Sequence, residues 1–407
     1  MKCVNLQYYV LLLLVIVLQY IPKEQINIEQ SMKAICEYET LYLCPDCFTS
    51  SRNCDAIDKL FVLHKGSWFN IVNNIFNSHT ARKGNFLHSR LAIAKRINRD
   101  NAIEKLLLEF CKSLSPPPLN CRWSQGGSTE QAKKFLEKSI LQNNRIEGCI
   151  FCPISSKLQT LHRFLKSINQ NTNELFNLLA IRTNVEPVLL NLLSNEEEPF
   201  PVPKLFYSYG FSFIESYDGQ SLDHFYEHSI LTRMLIASKL IKAALMFTEG
   251  VDGFRLYLTD VNSDNVMVRL EGDNKNVFIS IVDLDNVLIM DSRADSHDTE
   301  HMYHAHRRID CKECFAYVQQ DVCTYQSSDL NLYAICQLLL ENRNGNYPEG
   351  LLHNGRVDSK LVSDQLRDSQ TLHNLLEECV YCHPPGCRNR TIILNDVLDI
   401  ISEHVDQ

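Results

Sequence analysis

The 407-residue sequence has no excess of positive charge: 40 Lys and Arg against 49 Asp and Glu leave a formal net charge of −9. Without a basic stripe, nucleic acid is not an expected partner. Glycine is scarce, at 14 residues, and never recurs in the Gly-x-Gly-x-x-Gly spacing whose backbone cradles phosphates. Low-complexity tracts are few. No apolar run reaches the roughly 20 residues that cross a bilayer. The longest, Tyr8 to Leu18, follows Lys2 and has the length of a signal-peptide core. No Ala-x-Ala-like cleavage site follows it, so residues 1–24 read as a signal peptide or an uncleaved signal anchor, with a buried N-terminal element as the alternative. An anchor would be the chain's one membrane contact. The rest of the chain is then expected in the secretory lumen or outside the cell.

What is present is an ordinary globular composition, 45% apolar, enough to bury one large or two smaller cores. The sixteen cysteines fall largely in clusters, four of which contain Cys-x-x-Cys: 44/47, 149/152, 311/314 and 379/382. In a reducing compartment that spacing suggests zinc; behind a signal segment it suggests a disulfide framework. Apart from Cys3 the number is odd, so one cysteine is expected to be free or to pair with another chain. The connectivity is not legible.

In chain order, residues 25–59 are a cysteine-bearing leader expected to pack on the lobe that follows. Phe61–Phe69 and Leu87–Ile97 read as strands, with only Gly66 and Gly84 near them. Lys95 ends the run Leu91-Ala92-Ile93-Ala94-Lys95. Ala102–Leu114, Ala132–Leu141 and Lys157–Ile181 read as helices inserted before the next strands. Asn184-Val185-Glu186-Pro187 is a helix start, and Glu186 is the candidate partner of Lys95, with Glu104 and Glu109 as rivals. Lys204–Gly210 and Phe211–Tyr217 read as strands, Asp218-Gly219 as a hinge, and Leu231–Thr248 as an apolar helix.

The densest information lies between Arg255 and Asp291. Val266–Leu270 and Val277–Val282 flank the turn-forming Glu271–Asn276 and read as a hairpin. Asn265 and Asp283 would face each other at its open end, with Asp260 five residues before Asn265. Such a trio suits phosphoryl transfer. An amide and a carboxylate oxygen hold a hard divalent cation, and a third carboxylate orients the acceptor hydroxyl and takes its proton. Asp and Asn are also common turn residues.

The spacing Asp-x-x-x-x-Asn, hairpin, Asp is that of a protein-kinase catalytic centre. The chain as a whole resembles the divergent protein kinase domain family of the secretory pathway, in its Deleted-in-Autism branch. The resemblance rests on Cys44-Pro45-Asp46-Cys47-Phe48, Glu186-Pro187-Val188-Leu189, Leu256–Val268, Ile281–Leu288, Cys311-Lys312-Glu313-Cys314, Asp329–Leu339 and Gly350-Leu351-Leu352-His353.

It implies an α+β, two-lobed protein-kinase-like fold, disulfide-rich, with residues 60–217 forming an N-lobe that carries a helical insertion and 218–407 a C-lobe. It also implies ATP and Mg²⁺ or Mn²⁺ as cofactors, Asp260 as catalytic aspartate, Asn265 and Asp283 as metal ligands, and Lys95 as the phosphate lysine paired with Glu186. Asp329 would be a buried aspartate under the catalytic loop, besides its reading as a helix N-cap after Ser327-Ser328.

The implied activity is transfer of the ATP γ-phosphate to a hydroxyl of a lumenal or extracellular protein or glycan, in the Golgi lumen or after secretion. The alternative is a pseudokinase acting as a secreted ligand, for a cell-surface receptor or as an allosteric partner. Departures support that alternative: the glycine loop is missing, Leu258-Thr259-Asp260 stands for His-Arg-Asp and Asp283-Leu284-Asp285 for Asp-Phe-Gly; no Ala-Pro-Glu is recognisable between Asp291 and Ser328, which argues against regulation by loop phosphorylation. That segment carries His297, His301, His304 and His306, expected as a solvated loop, with metal binding as the other reading. Asn389-Arg390-Thr391 is a glycosylation acceptor triplet. Ser359–Cys379 and Thr391–Ser402 read as closing helices.

Overall fold

The computed structural model describes residues 33, 36–44, 47–48, 52–63, 81–87, 89–98, 101–115, 121–123, 129–142, 149–168, 173–194, 196, 198–272, 276–294, 301–306, 317–341, 349–353, 366–382 and 386–405. The signal segment, Gly66, His297, Cys311 and Cys314 lie outside them. Among the described residues no helix is long and apolar enough to cross a membrane.

The leader enters as a helical turn over Glu39–Leu43 and continues in α1 (Arg52–Leu60), closed by the disulfides Cys36–Cys54 and Cys44–Cys47. It packs on the first lobe, as expected. Glu39 is buried, accepts a hydrogen bond from Phe211 N at 2.7 Å and pairs with Arg96 at 2.9 Å.

β1 (Phe61–Leu63), β2 (Arg82–Phe86) and β3 (Arg90–Arg96) begin an antiparallel sheet. The run expected to be extended from Leu87 turns first: Leu87 takes φ +49°, and β3 starts only at Arg90. The insertion then comprises α2 (Ala102–Ser113), α3 (Thr129–Leu141), β4 (Ile150–Cys152), α4 (Lys157–Ile168), α5 (Glu174–Thr183) and α6 (Glu186–Leu193). The single helix read over Lys157–Ile181 is two. Asn173 ends the interruption by accepting from Leu175 N at 2.8 Å, a side-chain cap that starts a new helix.

β5 (Leu205–Tyr209) and β6 (Ser212–Ser216) complete the five-stranded sheet, in the order β1-β2-β3-β6-β5. β7 (Gln220–Ser221) leads into α7 (Ile230–Glu249), the central helix of the larger lobe. Gly219 permits this passage: it has φ +133°, and a Cβ there would lie 2.1 Å from Val268 O.

β8 (Phe254–Leu258), the hairpin β9 (Val266–Glu271) and β10 (Asn276–Ile281), and β11 (Val287–Asp291) follow, then the short β12 (His301–Met302). The chain continues through α8 (Gln319–Thr324), β13 (Ser327–Ser328), α9 (Leu330–Leu340), α10 (Leu366–Tyr381) and α11 (Arg390–Val405).

Two connections tie the insertion to the larger lobe. β4 runs parallel to β11, giving a sheet in the order β4-β11-β8, and Cys152 bonds Cys323 of α8. The expected disulfide framework is therefore present, and three of the Cys-x-x-Cys pairs are described. Of these three, 44/47 alone closes on itself. Cys379 bonds Cys336, Cys382 bonds Cys387, and Cys149 is a buried free thiol. A further bridge joins Cys111 to Cys121.

Candidate functional site

Between the lobes, the five residues singled out by sequence sit on four converging elements: β3, α6, the end of β8 and the β9–β10 hairpin. β3 presents Lys95, buried at 8% exposure. α6 presents Glu186 from its first turn, where Asn184 Oδ1 accepts from Glu186 N at 2.9 Å and Pro187 follows. Glu186 is fully buried, and its Oε1 accepts from Lys95 Nζ at 2.7 Å and from Asp283 N at 2.9 Å. One carboxylate oxygen thus joins the β3 lysine to the Asp283 backbone across the cleft. The rival Glu104 instead accepts from Asn98.

The hairpin has the expected register: Val266 pairs with Ile281, and Val282 N donates to Asn265 O at 3.0 Å. Asn265 and Asp283 therefore stand at its open end. Asp283 takes φ +60°, in the left-handed region that a non-glycine residue occupies only where its surroundings hold it. Its hydrogen bond to Glu186 and the buried Leu284 beside it provide that hold.

Asp260 is half-buried at the end of β8. Asn262 Nδ2 donates to Asp260 Oδ1 at 2.9 Å, and Asn265 Nδ2 donates to Asp260 O and Oδ2 at 3.0 and 3.1 Å. Asn262 Oδ1 in turn accepts from Asp264 N and Asn265 N, fixing the loop as an Asx turn. This network turns the Asn265 side-chain oxygen away from Asp260. Thr259, in the place of the expected arginine, donates through Oγ1 to Asn286 O. Tyr317 also hydrogen-bonds Thr259, and burial pushes its phenol up.

Sequence reasoning missed Glu215. It lies on β6, is 2% exposed, and its Oε1 sits 3.0 Å from Lys95 Nζ. Lys95 is thus shared by two buried carboxylates. Burial opposes its charge, but Glu186, then Glu215 and Asp283, outweigh that and hold the ammonium protonated. Burial, followed by the nearby Glu186 carboxylate, pushes Glu215 up to about 8 against the pull of Lys95. The available signal was a glutamate spaced two residues from Phe213, which is paired with Lys95 across the sheet.

Asp329 lies under this site, fully buried. It stands at the N-cap position of α9, yet Ser328 Oγ does the capping, accepting from Leu330 N at 3.2 Å. Asp329 Oδ1 accepts from His304 N at 2.7 Å, and Oδ2 pairs with buried Arg390. The expected solvated histidine loop is corrected here: His304 is 2% exposed against the Tyr333 ring. Asn331 ties β8 to the same helix, accepting from Leu258 N and donating to Leu256 O.

Two lobes, a lysine–glutamate pair bridging to a hairpin aspartate, and an Asp–Asn loop beneath define a protein-kinase-like domain. The chain belongs to the family described as the protein-kinase domain of FAM69, whose model matches residues 176–381. Divergent protein kinase domain 2A of Xenopus tropicalis is similar at 26% identity over 365 residues, 84% of this chain and 82% of the relative. The Homo sapiens protein of the same name is 26% identical over 362 residues, 83% and 81% of the two chains. The Mus musculus protein is 25% identical over 393 residues, 90% and 88%. The expected divergent kinase family and two-lobed, disulfide-rich α+β fold are thus the observed ones.

Proposed function

We propose that the chain is a divergent kinase-type phosphotransferase that binds ATP with Mg²⁺ or Mn²⁺ and phosphorylates a hydroxyl of a lumenal or extracellular protein or glycan. The observation that carries this reading is the shared Glu186 Oε1, which fixes Lys95 and Asp283 relative to each other in a preorganised site.

The donor chemistry fits the group. Asp283 and Asn265 offer hard oxygen ligands, too few to enclose a cation alone, which suits Mg²⁺ completed by nucleotide phosphates. Among the described residues no cluster of three or more His, Cys, Asp or Glu side chains could hold a metal by itself. When bound, the metal nucleotide supplies an activated phosphoryl group. Lys95 would hold its phosphates, and Asn265 and Asp283 would hold the cation. Asp260, aimed by Asn262 and Asn265, accepts the proton of the attacking hydroxyl. The disulfides support an oxidising compartment, the Golgi lumen or the cell exterior.

A second reading, a nucleotide-binding pseudokinase acting as a secreted ligand or allosteric partner, is favoured by the sharing of Lys95 between two carboxylates. Phosphate transfer from labelled ATP to protein and glycan acceptors distinguishes the two. Transfer by the wild type that falls by about 100-fold or more in Asp260→Asn supports the kinase. Metal-dependent ATP binding with transfer equal in both proteins supports the pseudokinase.

A further inference from the structure

The ion pairing around Lys95 is unbalanced. Glu186 and Glu215 both lie within ion-pair distance of it, at 2.7 and 3.0 Å, and all three side chains are buried. Asp283 also acts on Lys95, and Asp218 acts on Glu215 from the hinge that follows β6. One ammonium therefore answers several carboxylates before any phosphate arrives.

The two glutamates are not equivalent. Glu186 is locked, because the oxygen that takes Lys95 also takes Asp283 N. Glu215 contacts Lys95 through Oε1 alone; the Oε2 of each glutamate is buried without a hydrogen-bond partner, so what separates the two is the Glu186 bond to Asp283 N. A buried carboxylate oxygen left unsatisfied is costly unless the site gains something from it. An incoming phosphate must share Lys95, and Glu215 is the partner that Lys95 can exchange without dismantling the bridge to Asp283.

We propose that Glu215 is a positioning residue for Lys95, a buried carboxyl group that competes with nucleotide phosphates for the lysine and so lowers the affinity for phosphate-bearing nucleotides. The proposal rests on the kinase-type reading of the site. It assigns Glu215 a role in selection, because nucleoside polyphosphates are penalised more than the uncharged nucleoside.

The test uses the full chain and calorimetric affinities for Mg²⁺–ATP, Mg²⁺–ADP and adenosine. Wild type is compared with Glu215→Gln, Glu215→Met and Glu186→Gln, each checked for cooperative thermal unfolding. Above about pH 8, where the Glu215 carboxyl is ionised, replacing it removes one negative charge a few ångströms from the phosphates and is expected to tighten Mg²⁺–ATP by about ten-fold. Mg²⁺–ADP should gain less and adenosine nothing, while Glu186→Gln should weaken Mg²⁺–ATP because it frees Asp283. A residue that only stabilises the sheet would give no dependence on phosphate number. Folded Glu215 variants that bind Mg²⁺–ATP no tighter than wild type, or that tighten adenosine equally, overturn the proposal and leave the kinase reading standing. A folded wild type that binds none of the three probes overturns both.

Discussion

Replacing Asp329 by Ala tests the support beneath the site. Asp329 is fully buried and Arg390 is 1% exposed, so neither charge has water as an alternative partner. The carboxylate answers two groups: His304 N at 2.7 Å through Oδ1, and the Arg390 guanidinium through Oδ2. Arg390 retains a hydrogen bond to Cys379 O at 2.7 Å and its place 5.1 Å from the Tyr333 ring, but neither neutralises it. Breaking a buried ion pair by removing one member costs about 3–5 kcal/mol. Against a total stability of about 5–15 kcal/mol, that is a large fraction.

Asp329→Asn keeps an acceptor for His304 N and loses only the charge, so it should cost less. The double variant Asp329→Asn/Arg390→Met should recover part of the loss, because it leaves no stranded charge. The assay is denaturant unfolding at neutral pH with a double-mutant cycle. A loss below about 1 kcal/mol for Asp329→Ala, or no coupling between the two positions, would refute the burial argument.

The Glu215 carboxyl, raised from 4.5 to about 8 first by burial and then by Glu186, makes the folded chain hold a proton that the unfolded chain releases between those values. Its stabilising contribution is fully present below the unfolded value and is lost as pH rises through about 8. Unfolding free energy should therefore fall on the order of a few kcal/mol across that window, and Glu215→Gln should flatten the profile. Burial raises Glu39 in the same direction, so a residual slope of that sign should persist in the variant. Glu39→Ala strips the acceptor from buried Phe211 N and the partner from Arg96, beside Lys95 on β3. It should cost about 1–3 kcal/mol by denaturant unfolding, and an unchanged midpoint would show that the leader is not an integral part of the lobe.

What the sequence disclosed and what it hid divide along physical lines. The hairpin was legible because β-branched runs flank a turn-rich segment, and its register then carried Asn265 and Asp283 to one end without further information. Glu186 was legible through its helix start, since Asn184 and Pro187 are local signals. β4 was not: Ile150-Phe151-Cys152 is too short to show a period, and it is extended because β11, more than a hundred residues later, pairs with it. The break between α4 and α5 carried a missed local signal, Asn173 before Glu174. Glu215 was hidden because a glutamate inside an apolar strand acquires meaning only when Lys95 is placed on the neighbouring strand, two positions along the register. Asp329 followed the family resemblance, while its capping role belongs to Ser328.

The most direct measurement is the thermal unfolding of the purified chain with ATP and Mg²⁺ or Mn²⁺, beside Asp283→Ala. The account predicts that metal and ATP together raise the midpoint, by the equivalent of about 2.7 kcal/mol at a ligand concentration of 100 times Kd, and that the shift vanishes in the variant. No shift with either metal, or an equal shift in Asp283→Ala, would contradict it.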